Sequence, residues 1–258
     1  MNVSVIIPAY NREKTIKRTI LSVLNQTVPP IEIIVVDDYS ADSTVEIVKE
    51  ICRTNKCISL LQMKRNCGAQ AARNYGIKKA KGEWIILLDS DDELLEHSVE
   101  CYIKAVKENP GYDIYYGDYY DNKNGKIKYI NCRMRGRNGC YFENILYSSK
   151  VLFQNMIVQK SALENIGLLD EHVPAYQEWD THIKLAMKHR YYYIHKPMFM
   201  YYSLYDGETI SKDLVRAKNG FRFVVISNWD IFKKFGVQSI VFYFQGIFWH
   251  YKRCDDCK

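Results

Sequence analysis

Short apolar runs closed by turn residues alternate, over the first third of the chain, with stretches whose apolar positions recur every three to four residues. Val3 to Ile7, closed by Pro8, reads as a buried strand. Ile16, Ile20, Val23 and Leu24 follow at helical spacing, and Val28-Pro29-Pro30 stops that helix. Ile31 to Val36 is the second strand, and Ser40 to Ser43 offers capping side chains ahead of Val45, Ile47, Val48 and Ile51. Ser59 to Met63 predicts a third strand, Gly68 to Ala80 a helix rich in small residues, and Trp84 to Leu88 a fourth strand. This alternation predicts an α/β fold with a mostly parallel central sheet flanked by helices on both faces.

The second half is less regular. Asp113 to Tyr120 and Lys126 to Tyr129 flank Asn122-Lys123-Asn124-Gly125, a hairpin turn. Leu152 to Gln159 reads as a strand, Ser161 to Gly167 as a short helix capped by Ser161, Trp179 to Lys188 as an amphipathic helix and Tyr192 to Tyr202 as an extended segment. From Lys212 the pattern turns helical and very aromatic. The expected organisation is one large domain over 1–211, divided near residue 110, and a helical extension over 212–258.

The 258 residues carry a net charge of +6 spread along the chain, which argues weakly for phosphate-rich or anionic-membrane partners. There is no zinc-finger spacing, aromatic-and-basic RNA signature or long basic run, so nucleic acid is not an expected partner. Eight cysteines at irregular spacing suit free thiols in a reducing compartment better than a disulfide frame, and Cys254 and Cys257 form a CxxC without a second pair. The chain opens directly on a strand-like run and holds no apolar stretch of the roughly 18 to 20 residues needed to span a bilayer. The expectation is a cytoplasmic protein, soluble or peripheral at the inner face of the membrane.

Chemistry enters at the strand ends. In an open α/β sheet the carboxyl ends of the strands line the ligand crevice. Here those ends carry Pro8-Ala9-Tyr10-Asn11, Asp37-Asp38 and Asp89-Ser90-Asp91-Asp92. Asp38, Asp89, Asp91 and Asp92 gathered in one crevice would repel one another unless a cation or protons neutralised them. Asp89-Ser90-Asp91 is a DxD triplet whose hard oxygen donors suit Mg²⁺ or Mn²⁺. For Asp92 the alternative is a cap on a helix over 93–99, and for Asp37 a buried structural carboxylate.

Five segments in order, SVIIPAYNRE, VVDDYSADST, NCGAQAARNYGIKKAKGEWIILLDSDDEL, IGLLDE and QEWDTHIKLA, resemble the family 2 glycosyltransferases. The resemblance runs from about Val3 to Ser211 and implies a GT-A (Rossmann-like) fold and inverting transfer of a sugar from a nucleotide-sugar donor to a hydroxyl. It implies that 1–110 binds the nucleotide and 111–211 the acceptor. By that likeness Asp91 is the direct metal ligand, with Asp89 on the ribose or on the metal through water. Ala9 and Tyr10, in the turn Pro8 to Asn11, lie around the base or ribose, and Asp38 accepts from the base imide N–H, which favours uracil and so a UDP-sugar. Asn66 and Arg73 would cover the nucleotide; for Arg73 a surface ion pair is equally open.

An inverting transfer needs a carboxylate to take the acceptor proton. The family commonly has Glu-Asp before the Trp, whereas this chain has Gln177-Glu178, so Glu178 aligns with the base and Asp180 is its rival. The family's His in a YRxHxxSxS-like stretch is missing, since Tyr202 to Ser211 reads YSLYDGETIS, and Tyr205 or Asp206 are the candidate substitutes. His182, His189 and His195 read as packing or surface residues. Arg133, Arg135 and Arg137 suit either a pyrophosphate grip on a lipid-linked acceptor or a solvated basic loop. The aromatic run Ile240 to Tyr251 suits a membrane interface, an oligomer contact or packing back on the main domain. The biological setting the resemblance implies is bacterial surface polysaccharide synthesis, with a glycan or lipid-linked glycan as acceptor. Two other functions stay open: a non-catalytic nucleotide-sugar-binding module of the same fold, and a nucleotidyltransferase, for which PAYNRE is a poor phosphate loop.

Overall fold

The computed structural model of the protein describes residues 1–134, 145, 151–203 and 213–234. Four parallel strands form one half of the sheet: β1 (Val3–Ala9), β2 (Glu32–Asp37), β3 (Ile58–Gln62) and β4 (Trp84–Leu87). Their order is β3-β2-β1-β4, with Ala9 opposite Asp37 and Ile6 opposite Leu87. The connecting helices are α1 (Ile16–Leu24), α2 (Thr44–Thr54) and α3 (Ala69–Lys79). β1 is buried along its whole length, and its alternate side chains feed two cores. Val3, Val5 and Ile7 meet Ile16, Ile20 and Val23 of α1, whereas Ile6 meets Ala72 and Ile77 of α3. Gly76 lets α3 lie close, because a Cβ there would stand 2.5 Å from Ile6 Cγ2.

The sheet is more mixed than a mostly parallel expectation. After β5 (Glu93–Leu94) and α4 (Ser98–Glu108) come β6 (Ile114–Lys123), β7 (Lys126–Ile130), β8 (Met156–Gln159) and β9 (Tyr191–Tyr202). They continue the order as β4-β8-β6-β9-β5, with β7 beside β6, and only β6 with β9 runs parallel. The β6–β7 hairpin turns on Asn124 and Gly125, both at positive φ (51° and 84°), as a two-residue hairpin of right-handed twist requires. Helices α5 (Lys160–Asn165), α6 (Gln177–Ala186), α7 (Leu214–Ser227) and α8 (Trp229–Lys233) complete the described chain.

Three local expectations change. The strand expected over 152–159 is confined to β8, because Asn155 Oδ1 accepts from Leu152 N (2.9 Å) and its Nδ2 donates to Gly117 O (2.7 Å), turning the chain inward. Ser161 lies inside α5, which starts one residue earlier, and is not its cap. The helix expected over 93–99 is a two-residue strand paired with β9 followed by α4 from Ser98, so Asp92 caps nothing there. The extension is helical where described and folds back: Phe221 stacks on Trp179 (ring centroids 5.7 Å apart), and a Cβ on Gly220 would meet Ala175. Among the described residues no helix is long and apolar enough to cross a membrane. Arg135, Arg137, Tyr205, Asp206, the boundary at 211/212, Ile240 to Tyr251, Cys254 and Cys257 lie outside the described residues.

Candidate active site

The tips of β1 and β2 are stitched together before either meets a ligand. Asn11, at φ 51°, donates its backbone N–H to Ser40 Oγ (2.9 Å), and its Oδ1 accepts from Ala41 N (2.9 Å). Arg12 N donates to Thr44 Oγ1 (2.7 Å) and Glu13 N to Asp42 Oδ2 (3.0 Å). Asn11 is therefore a brace between two loops. Pro8 and Ala9 are buried as the last residues of β1, and Tyr10 and Tyr39 project into solvent on either side of the seam.

Asp37 is buried and holds the following turn, accepting from Ser40 N (3.2 Å), which fits the structural alternative. Asp38 reaches the other way. Its two oxygens accept from Cys67 N (2.8 Å) and Gly68 N (2.7 Å), fastening the loop that opens α3, where Gly68 sits at φ 90°. Burial raises its pKa despite those two bonds. Asn66, next to that loop, is exposed.

The DxD triplet follows β4. Asp89 is not a bare carboxylate: Arg73 Nη2 stands 2.5 Å from its Oδ1, and Gln154 donates to its Oδ2. Arg73 is buried under Phe153, whose ring centre is 4.9 Å from the guanidinium carbon, so the surface-pair alternative for Arg73 falls away. Ser90 is buried between its neighbours. Asp91 is partly exposed, with Arg12 Nε 3.7 Å from its Oδ2. Burial, and then the charge of Asp89, lift its pKa above the ordinary carboxylate value. Asp92 is buried, accepts from Tyr202 N (3.0 Å) through Oδ1 and leaves Oδ2 without a partner, and its pKa is pushed well up by burial and by Asp91. Asp38 and Asp89 are thus answered by protein groups, and among the described residues no three His, Cys, Asp or Glu side chains gather as a metal site. The fourfold acidic cluster expected from sequence reduces to Asp91 and Asp92 as the under-compensated pair.

Helix α6 decides between the two candidate bases. Glu178, in its first turn, accepts from Phe153 N (3.0 Å) through Oε1. Burial first and the Asp89 charge second raise its pKa from 4.5 to about 7, against the opposing pull of Arg73. Asp180 is fully buried on the other side, where it accepts from Lys184 Nζ (2.6 Å) and Asn228 Nδ2 (3.0 Å). The structure brings Glu178 to the acidic edge and leaves Asp180 as an anchor between α6 and the end of α7. His182 is likewise a packing residue, buried with Nδ1 3.0 Å from Tyr191 Oη and its pKa lowered by burial to about 3.

Several groups at this edge carry no sequence signal. Phe153 and Gln154 belong to the stretch that reads as strand but forms the loop before β8, and there they link Glu178, Asp89 and Arg73. Arg18, on α1, donates to Asp91 O (2.5 Å), pairs with Glu93 (2.9 Å) and lies 3.7 Å from the centre of the Tyr202 ring. Helical spacing marks Arg18 only as a polar-face residue. Its role comes from β9, whose end brings Tyr202 beside it.

A family model described as "Glycosyl transferase family 2" matches residues 4–162, more than half of the chain. The chain belongs to that family. This family 2 chain is 39% identical over 107 residues to an uncharacterized glycosyltransferase of Haemophilus influenzae, covering 42% of the chain and 43% of that protein. It is 37% identical over 106 residues to the putative teichuronic acid biosynthesis glycosyltransferase TuaG of Bacillus subtilis, covering 41% of the chain and 42% of TuaG. The matched stretches thus span less than half of these relatives. The crystal structure of S. aureus TarS in complex with UDP-GlcNAc superposes with a TM-score of 0.70 at 22% identity, over 88% of this chain and 66% of that one. The fold is the expected GT-A arrangement.

Proposed function

We propose that the protein is an inverting glycosyltransferase that moves a sugar from a nucleotide-sugar, UDP-linked by preference, to a hydroxyl of a glycan or lipid-linked glycan. The observation that carries this reading is the convergence of Glu178, Asp89, Arg73 and Asp91 at one sheet edge, with Glu178 poised near pH 7. A general base works best when its pKa lies near the working pH. Glu178 keeps one oxygen bonded to Phe153 N and has the other to take the proton of the acceptor's hydroxyl as the hydroxyl oxygen attacks the anomeric carbon. The bond to the departing diphosphate breaks on the opposite face, which inverts the configuration.

Asp91 fits a hard divalent cation, being partly exposed, raised in pKa by burial and then by Asp89 and only loosely paired with Arg12 at 3.7 Å, and the neighbouring Asp92 leaves Oδ2 without a partner. A bound Mn²⁺ or Mg²⁺ would neutralise charge on the leaving diphosphate. Asp89, held by Arg73 and Gln154, then serves as a fixed acceptor for the donor's ribose or for a metal-bound water. Asp38 has its carboxylate fixed at the nucleotide end by two backbone donors, with lone pairs left to accept from an imide N–H. Two comparisons favour this donor and setting: the TarS structure with UDP-GlcNAc and the teichuronic acid assignment of TuaG. A thermal-shift screen of UDP-, GDP-, dTDP- and CMP-sugars, each with Mn²⁺ and with EDTA, tests it. Metal-dependent stabilisation by the UDP-sugars is expected; stabilisation by none of the four classes would refute the donor reading.

A further inference from the structure

Among the described residues three arginines approach the acidic edge, and two of them are committed to protein partners. Arg73 is buried between Asp89 (2.5 Å) and Gln70 Oε1 (2.7 Å). Arg18 is held by Glu93 (2.9 Å), by Asp91 O (2.5 Å) and by the face of Tyr202. Arg12 differs. Its backbone is fixed by the 2.7 Å bond to Thr44 Oγ1, which sets where the side chain starts. Its guanidinium is loosely held, with Nη1 3.3 Å from both Tyr10 O and Asn11 O and Nε 3.7 Å from Asp91 Oδ2, and 42% of the side chain is exposed.

Its placement is specific. Arg12 leaves the loop that follows β1 and reaches across to the loop that follows β4, two strands paired in parallel register. The gap it bridges runs between the turn Pro8 to Asn11 and the DxD triplet. A half-exposed pair at 3.7 Å contributes little to stability, so the fold does not require it. A nucleoside diphosphate entering this gap brings several negative charges to an edge that already carries Asp89 and Asp91. A planar guanidinium with free N–H groups matches phosphate oxygens in a way a single ammonium does not.

We propose that Arg12 positions the diphosphate of the donor: it rests on Asp91 in the ligand-free protein and transfers its N–H groups to phosphate oxygens when the donor, with its cation, takes over Asp91. This rests on the nucleotide-sugar reading above and adds to it a residue that recognises the diphosphate and not the nucleoside.

The test is calorimetric binding of uridine and of UDP, with Mn²⁺ and with EDTA, to the full chain carrying Arg12, Arg12→Gln or Arg12→Lys. Arg12→Gln is expected to weaken UDP about tenfold or more while leaving uridine unchanged, which also shows that the base site is intact. Arg12→Lys should recover part of the loss, since it keeps the charge and lacks the fork. UDP bound equally well by Arg12→Gln overturns the proposal. So does equal weakening of uridine and UDP, which would make Arg12 a brace for its loop. If the unaltered chain binds neither ligand, the nucleotide reading itself fails and this inference with it.

Discussion

Replacing Glu178 by Gln removes a charge and keeps the shape, including an oxygen to accept from Phe153 N at the present 3.0 Å. The rise in its pKa from 4.5 to about 7 means the folded protein holds this proton more tightly than the unfolded chain does. Between those pH values the native state binds more protons, so its stability falls as pH rises. At about 1.4 kcal/mol per pH unit the full cost of ionising Glu178 in place is about 3 kcal/mol, and partial solvent access makes about 2–3 kcal/mol the expected reading. The amide of the Glu178→Gln variant carries no such cost. Urea unfolding of both proteins from pH 4 to pH 8, in EDTA, should therefore show the Gln variant gaining on the original as pH rises, with the gain complete above about pH 7. Asp91 and Asp92, whose pKa values are also raised, are common to both proteins and largely cancel in the difference. A difference flat to within about 0.5 kcal/mol across the range would mean that Glu178 is not perturbed and would remove the case for it as the poised base. In the transfer assay the same ionisation should appear as a rate rising with pH to a plateau above about 7, and the Gln variant should bind donor but not transfer.

Asp180→Ala leaves Lys184 and Asn228 without their buried acceptor and should lower stability by about 2–4 kcal/mol, read as a fall in Tm. Asp180→Asn should retain transfer, and complete loss in a folded Asn variant would return Asp180 to candidacy as the base. Arg73→Met uncovers Asp89, now held by Gln154 alone, and is expected to cost about 2–3 kcal/mol in urea unfolding. Gly76→Ala drives a methyl into Ile6 and should cost about 1–3 kcal/mol by the same measurement; a neutral result would show that α3 can shift off the sheet.

The strand–helix alternation up to β4 was legible because buried parallel strands and amphipathic helices leave periodic apolar patterns, and each predicted strand there lies within two residues of its observed end. The DxD triplet and the QEWD segment were legible too, since a motif is local by definition. Partnership was not. Asp89 and Asp38 read alike as acids at strand tips, yet one meets a buried guanidinium and a glutamine and the other two backbone N–H groups from a loop 29 and 30 residues away. Glu178 and Asp180 are two residues apart and point to different surroundings, which depend on Phe153 and on Asn228, residues that no spacing rule connects to them. Period and residue type are one-dimensional properties, and they suffice to mark most of the strands and helices and the carboxylates at the sheet edge. Which carboxylate is neutralised, which is buried and which is raised toward pH 7 was decided only when the β8 loop, the end of β9 and α6 closed on that edge. Burial and Coulomb interactions depend on distances between chain-remote atoms.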